Sequence, residues 1–366
     1  MHRQGEIRHG IVNPSGRPLS GWASSPVVYR AFCNDDENAV VVRRQGSTLL
    51  AEAGQGSSAT FRLVLNDVQA QIELLEVSST TASDWRLASA LFEYLFATLP
   101  SMQSLVLSGQ AWSPLLGELN RNGIWFCQNK DMQHVLSGDM FWQTLHLWSP
   151  SQTAIFPHHG VFDGKIAHPL RPPKPSGTVY ARHIPWLEGL FSLDVATLDD
   201  LPLVHRWMND PRVNEFWHEA GDEKRHRHYL EGMFADPHIM PLIGRFDNLP
   251  FAYFEVYWAK EDIVGTFCDA GDYDRGCHVI VGEEACRGRD WFTAWLPSLL
   301  HFMFLDDPRT ERIVQEPSSA HHRQLRNLQK SGFSHVKSVN LPTKHAAIMS
   351  ITRQRFFADR LWHPAA

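Results

Sequence analysis

Cysteine is scarce in this chain of 366 residues: Cys33, Cys127, Cys268, Cys277 and Cys286 are all there is, with no CxxC pair. An odd, widely spaced set excludes a disulfide framework and a cysteine-rich zinc site, and fits reduced thiols. No apolar run approaches the length of a membrane span. The start, Met-His-Arg-Gln-Gly-Glu, lacks the apolar segment of a signal peptide, so a soluble, cytoplasmic protein is expected. Positive charge is not in excess: 34 Lys and Arg stand against 40 Asp and Glu, for a net charge of -6. That argues against a nucleic-acid or acidic-membrane binder, while a local basic patch can still meet phosphates. The 20 histidines do not assemble into ligand spacing. His226 and His228 flank Arg227 with no carboxylate or cysteine to complete a set. These, His158-His159 and His321-His322 read as structural or solvated, and no metal is expected.

The length suffices for two domains of ordinary size. Proline is concentrated at Pro169, Pro172, Pro173 and Pro175. It fixes φ and withholds a donor, so residues 165–178 read as an extended connector between an N-terminal domain, 1–164, and a second domain, 179–366. In the first, 60–66 and 69–77 alternate like paired strands about a turn at Asn66-Asp67-Val68, and 84–98 places Leu87, Leu91 and Leu95 on one helical stripe. A strand at 104–108, a helix at 114–120 and a strand at 124–128 follow. No catalytic motif appears there, and the order of elements resembles a degenerate copy of the second half. In that half, a strand at 191–195 precedes a helix capped by Thr197 or Asp199, with Leu201, Val204 and Met208 at helical spacing, which Asn209-Asp210-Pro211 ends. A helix at 225–235 leads to strands at 241–245, 251–258 and 278–282. From Trp291 a helical stripe runs to Met303, with Pro297 either kinking it or marking its first turn. A strand at 312–316, a helix at 321–330 closed by Gly332, and strands at 333–339 and 346–352 complete the pattern. The expected fold class is α/β (α+β), with a mixed, largely antiparallel sheet in the second half.

The richest stretch is Cys277-His278-Val279-Ile280-Val281-Gly282, followed after three residues by Cys286-Arg287-Gly288-Arg289-Asp290-Trp291 and an apolar helical run. A strand, a loop carrying Arg-Gly-Arg and a helix start put backbone N–H groups and two guanidinium groups where a pyrophosphate would sit. An acyl-CoA enzyme of the GNAT type holds its cofactor so; a solvated loop is the competing reading. The cofactor set expected is Ile280, Gly282, Arg287, Gly288, Arg289 and Trp291. Acyl transfer also needs an oxyanion donor, which backbone N–H groups near Ile280 supply if the strand edge splays open there. It needs an uncharged nucleophile as well: an alkylamine is cationic at neutral pH, whereas a hydroxylamine is largely neutral. His278 is the natural base, with a hydrogen-bonded strand-end histidine as the alternative. Cys277 points to the other face of its strand, which rules out a Cys/His pair. Glu316, before Pro317, orients His278, holds a polar group of the substrate, or is a plain surface carboxylate. Trp207, Phe216, Trp217, Tyr257 and Trp258 are either core or the wall of a pocket for an aliphatic, polyamine-like substrate. Glu255, Asp272 and Asp274 are candidates to pair with its cationic end.

Three longer words carry a resemblance: LVHRWMNDPRVNEFW from Leu203, PLIGRFDNLPFAYFEVYWAKEDIVG from Pro241 and DYDRGCHVIVGE from Asp272. From HPLRPPKPSG through FFADRLW the chain resembles the siderophore-biosynthetic branch of the GNAT superfamily, the aerobactin-type N-hydroxylysine acetyltransferases and their N-hydroxyornithine and N-hydroxycadaverine counterparts. The resemblance implies a GNAT fold from about residue 180 and an acyl-CoA donor, acetyl-CoA or succinyl-CoA. It further implies transfer to the hydroxylamine nitrogen of an N-hydroxylated diamine or amino acid, giving a hydroxamate, with a siderophore synthetase as possible partner. His278 falls on the family's active-site histidine and Glu316 on its acidic partner. Arg287, Gly288 and Arg289 fall on the CoA loop, and Trp207 with Tyr257-Trp258 in the words of the acceptor pocket. Leu328 stands where many GNAT enzymes place a tyrosine acid. Departures are Asp290, where a small residue is expected, and Ser318 and Ala320 in place of charged ones; they bear on CoA affinity. An acetyltransferase of ordinary amines, or a non-catalytic CoA-binding partner of a siderophore synthetase, are the competing functions.

Overall fold

The computed structural model describes residues 28–32, 39–66, 69–78, 84–149, 155–342 and 344–364; Cys33, Asp67 and Val68 lie outside them. The first half forms β1 (Val28–Ala31), β2 (Val40–Gln45), β3 (Thr48–Ala53), β4 (Ser58–Leu65), β5 (Gln69–Ser78), α1 (Asp84–Thr98), β6 (Ser104–Ser108), α2 (Ser113–Arg121), β7 (Cys127–Gln128), β8 (His134–Ser137) and α3 (Gly138–Phe141). Burial follows a period of two: Val40 and Val42 on β2, Leu49 on β3, and Phe61 and Leu63 on β4 all face the core. Leu87, Leu91 and Leu95 bury the stripe expected on α1. The strands pair in the order β1-β2-β3-β4-β5-β6-β8-β7, antiparallel but for the parallel pair β5–β6.

The proline-rich stretch is more than an extended connector. β9 (Gly160–Phe162) and β10 (Ala167–Pro169) form a hairpin within its approach. Beyond it, Arg171 forks onto Glu261 at 2.5 and 2.6 Å and lies 4.3 Å from the Trp258 ring, while Lys174 donates to the carbonyls of Met233 and Phe234. Proline explains the extended path; the side chains between the prolines pin it to the second half.

That half contains β11 (Thr178–Ile184), β12 (Gly189–Val195), α4 (Leu201–Met208), α5 (Pro211–Trp217), α6 (Glu223–Ala235), β13 (Ile239–Phe246), β14 (Leu249–Trp258), α7 (Gly265–Cys268), β15 (Arg275–Val281), α8 (Arg289–Asp306), β16 (Arg312–Gln315), α9 (His322–Lys330), β17 (Ser334–Asn340), β18 (His345–Thr352) and α10 (Arg353–Ala358). Its sheet runs β11-β12-β13-β14-β15-β16-β18-β17, with β15–β16 the parallel pair. The two sheets therefore correspond strand for strand in order and sense.

Two local expectations need correction. Asn209-Asp210-Pro211 ends α4 and also starts α5: Asp210 accepts from the Arg212 N–H as N-cap, and proline sits in the first turn, where no N–H is needed. Pro297 does not mark a first turn, the second of the two readings offered for it. It lies well inside α8, where Leu296, Leu299, Leu300 and Met303 are buried. Their packing offsets the lost backbone bond.

One apolar core runs through both halves. His301 on α8 ties them: its Nε2 lies 2.6 Å from the Trp142 carbonyl, which fixes that nitrogen as the donor and leaves Nδ1 to accept from the Tyr180 hydroxyl at 2.8 Å. Trp142 stacks on Trp148 and Trp362 at 4.6 and 5.2 Å between centroids. Among the described residues no helix is long and apolar enough to cross a membrane.

Candidate active site

β15 and β16 pair at only two positions, Arg275 with Ile313 and Gly276 with Val314. From Cys277 to Val281 the pairing of β15 is with β14 alone, so the sheet opens there into a wedge. The expected oxyanion donor near Ile280 would lie on this stretch of β15, which β16 does not pair.

Alternation on β14 puts Tyr253, Glu255 and Tyr257 on one face, and the register sets Glu255 opposite His278. Glu316 follows directly after β16. The imidazole is thereby held between two carboxylates, Nδ1 lying 3.1 Å from Glu255 Oε2 and Nε2 3.2 Å from Glu316 Oε1. Both carboxylates are buried, at 3% and 7% exposure. Each is satisfied further. The Tyr253 hydroxyl donates to Glu255 at 3.0 Å, and the Tyr229 hydroxyl, from α6, donates to the same oxygen. The Tyr257 hydroxyl donates to Glu316 at 2.9 Å, and Lys344 Nζ stands 3.4 Å away on the other oxygen. The Tyr257 ring lies against Gly276, where a Cβ would overlap it.

The electrostatics bear on the role of His278. Burial, the largest influence on His278, disfavours its charged form, but the hydrogen bonds and charges of Glu255 and Glu316 outweigh it and lift the pKa to about 10. Burial likewise works to raise Glu316; His278, Lys344 and Tyr257 overcome it and hold that carboxyl at about 2. The two carboxylates thus favour the cationic imidazole, which can donate from both nitrogens. Tyr253 and Tyr257 are pushed well above the usual phenol range, first by burial and then by the adjoining carboxylates, so they remain donors.

Cys277 faces the opposite side, as alternation requires. Its sulfur accepts from Gln315 Nε2 at 3.0 Å, and burial pushes the thiol up to about 12. A nucleophilic role is excluded on both counts.

At the other end of β15, Arg287 folds back, its Nη2 donating to the carbonyls of Val281 at 2.7 Å and Gly282 at 3.1 Å. It thus fastens the loop to the strand. Gly288 precedes α8 with φ at 110°, a conformation that glycine alone adopts without strain. The helix then presents its first N–H groups beside the exposed Arg289 and Asp290.

Comparison with known proteins gives a consistent picture. Residues 196–341 match the family profile "Acetyltransferase (GNAT) domain". The N(6)-hydroxylysine O-acetyltransferase of Escherichia coli is 33% identical over 270 residues, covering 73% of this chain and 84% of its own length. The hydroxyornithine transacylase SID3 of Ajellomyces capsulatus is 35% identical over 326 residues, 77% of this chain and 73% of that one. The chain belongs to the siderophore-biosynthetic GNAT acyltransferases. SIDF of Beauveria bassiana, an N(5)-hydroxyornithine:cis-anhydromevalonyl coenzyme A-N(5)-transacylase, is 44% identical over 195 residues, 52% of this chain; the match spans 43%, less than half, of that relative's length.

Within this GNAT acyltransferase, the other residues named from sequence divide by position. Trp217 sets its edge toward His278, 6.1 Å between centroids. Trp207 is buried, its Nε1 donating to Glu283 at 2.9 Å, and its indole occupies the space that a Cβ at Gly282 would need. Ile280 is buried beneath α4 and α6. Trp291 does not offer its ring to a cofactor, for it packs in the core at 4.9 Å from Phe246 and 5.7 Å from Phe251. Trp258 is held by Arg171 and Arg275, 4.3 and 4.0 Å from its ring. Asp274 accepts from Arg312 at 2.5 and 2.9 Å, and Asp272 pairs with Lys260. Both carboxylates thus have cationic partners within the chain, and Glu255 meets His278 and two tyrosines. Leu328 is buried and brings no hydroxyl to the site. Sequence reasoning missed Tyr229, Tyr253 and Lys344. Tyr253 shares its parity with Glu255 and Tyr257, a signal that was there to read; Tyr229 and Lys344 arrive from a distant helix and turn.

Proposed function

We propose that this protein transfers an acyl group from an acyl-CoA, acetyl-CoA or succinyl-CoA, to the hydroxylamine nitrogen of an N-hydroxylated diamine or amino acid, forming a hydroxamate. The observation that carries the reading is the imidazole held between two buried carboxylates. A histidine kept cationic is poorly suited to strip a proton from an alkylammonium ion, whereas a neutral hydroxylamine nitrogen needs no such help to attack. The phosphate loop at 287–291 and the open wedge fit the pyrophosphate and the thioester arm of the donor, the unpaired edge of β15 providing N–H groups toward the carbonyl oxygen. As the N–C bond forms and the C–S bond breaks, His278 gives its proton to the departing thiolate. The proton released from nitrogen returns to the imidazole, still flanked by Glu255 and Glu316.

The N-terminal half reads as a GNAT-like copy without a site. Its β5 also runs past β6, pairing with β4 alone from Leu74 to Ser78, so the difference lies in what fills that end. The Trp112 indole donates to the Ile72 carbonyl on β5, and the sequence between β5 and α1, Ser79-Thr80-Thr81-Ala82-Ser83, has neither glycine nor arginine for phosphate. The cytoplasm is the compartment proposed, since Cys127, Cys268, Cys277 and Cys286 are free thiols. A siderophore synthetase consuming the hydroxamate is the partner proposed.

Incubation with acetyl-CoA or succinyl-CoA and matched pairs of N-hydroxylated and plain amines tests the reading, with ferric iron to detect hydroxamate. Turnover confined to the N-hydroxylated member of each pair is expected; equal turnover of the plain amine would contradict it.

A further inference from the structure

Phe216 is 52% exposed, yet its ring lies flat on His321, with centroids 4.6 Å apart and planes 9° from parallel. The two residues belong to elements on opposite sides of the wedge. Phe216 is the next-to-last residue of α5, and its neighbour Trp217, the last, sets its ring 6.1 Å from His278 on β15. His321 caps α9 and follows Glu316 by five residues, tied into the turn by its N–H bond to the Ser318 carbonyl at 2.9 Å and by its Nδ1 contact with Gln324 at 2.8 Å. The contacts close a circuit: His278 to Glu316, along the chain to His321, across the stack to Phe216, and through Trp217 back to His278. The circuit joins the unpaired stretch of β15, which carries His278, to the end of β16, which Glu316 follows. At its other end α5 is fastened to the phosphate loop, Arg212 pairing with Glu284 at 3.1 Å and Asp210 standing 3.9 Å from Arg287.

We propose that the Phe216–His321 stack is an aromatic cover over the thioester end of the wedge, keeping water from the acyl carbon so that transfer outruns hydrolysis. The inference rests on the acyl-CoA reading of the wedge given above. The reaction suppressed is attack of water on the thioester carbonyl, which breaks the C–S bond and yields the free acid and the CoA thiol. The stack need only part for the thioester arm to enter. Two flat rings without a covalent tie suit that, and closing a site to water is a general means of protecting a reactive acyl donor.

The test compares CoA thiol release from acetyl-CoA without acceptor with hydroxamate formation when an N-hydroxylated amine is present. Phe216→Ala and His321→Ala should each raise the ratio of the first to the second by about tenfold. The double variant should do no more than either single one, because both lesions open one cover. Phe216→Tyr and His321→Phe, which keep two stacked rings, should retain the wild-type ratio and show that the alanine variants did not merely misfold. An unchanged ratio in both alanine variants, or a change in one not matched by the other, would overturn the cover. If wild-type protein forms no hydroxamate at all, the acceptor assignment fails instead, and thiol release alone decides the cover.

Discussion

His278 is opposed by burial and favoured by two carboxylates, and the carboxylates win. Its pKa is raised above the ordinary 6.5, so the stability it contributes is complete below that value and is lost as pH rises through about 10. Glu316 behaves in the opposite sense, its contribution present above 4.5 and lost as pH falls toward about 2. Activity should hold on a plateau through neutrality, and its alkaline fall should come only as pH passes about 10. Replacing Glu316 with Gln removes one supporting charge, and the alkaline limb of the kcat profile should move down by about 1 to 3 pH units. A limb that stays in place would mean that Glu316 does not hold the imidazolium. His278→Gln should lower kcat by roughly a hundredfold or more with a smaller effect on the KM for acyl-CoA, as measured by steady-state kinetics. Gly276→Ala would drive a Cβ into the Tyr257 ring and displace its hydroxyl from Glu316. A stability loss of about 1–3 kcal/mol by denaturant titration is expected.

At the level of elements, the wedge between β15 and β16 and the loop before α8 define the site, and Arg287 joins them. Its guanidinium serves the carbonyls of Val281 and Gly282, so Arg287→Ala should raise the KM for acyl-CoA by about tenfold with a smaller change in kcat. Here the sequence was most readable. The strand, loop and helix around 278–303 announced themselves through apolar period and glycine, and the pairing of His278 with Glu316 was anticipated. What escaped notice depended on partners distant in the chain. Pro211 read as a stop because proline ends helices, yet it equally suits a first turn once Asp210 caps it. Glu255 looked free for a cationic substrate because nothing local reveals that Tyr229 and Tyr253 already fill it. The second carboxylate beside His278 was out of sight for a similar reason: one carboxylate can orient a histidine, whereas two favour its charged form.

For the molecule as a whole, two sheets of the same strand order share one core, and the histidine between two carboxylates lies in the second. The duplication was partly visible in the order of elements in the first half, but β1 to β3 escaped notice because short alternating strands carry weak signals. The joint around His301, Trp142, Trp148 and Trp362 makes the halves interdependent. Trp142→Ala should cost about 3–5 kcal/mol and lower the whole denaturation curve as a single transition, not the first half alone. The claim on which the functional reading turns is the charge of the imidazole in the resting site. Nitrogen-15 NMR of ring-labelled histidine, assigned through His278→Gln, reads that charge directly. The account predicts an imidazolium signal persisting at about pH 8, where an ordinary histidine is neutral, and titrating near 10. A neutral His278 ring at that pH would contradict it.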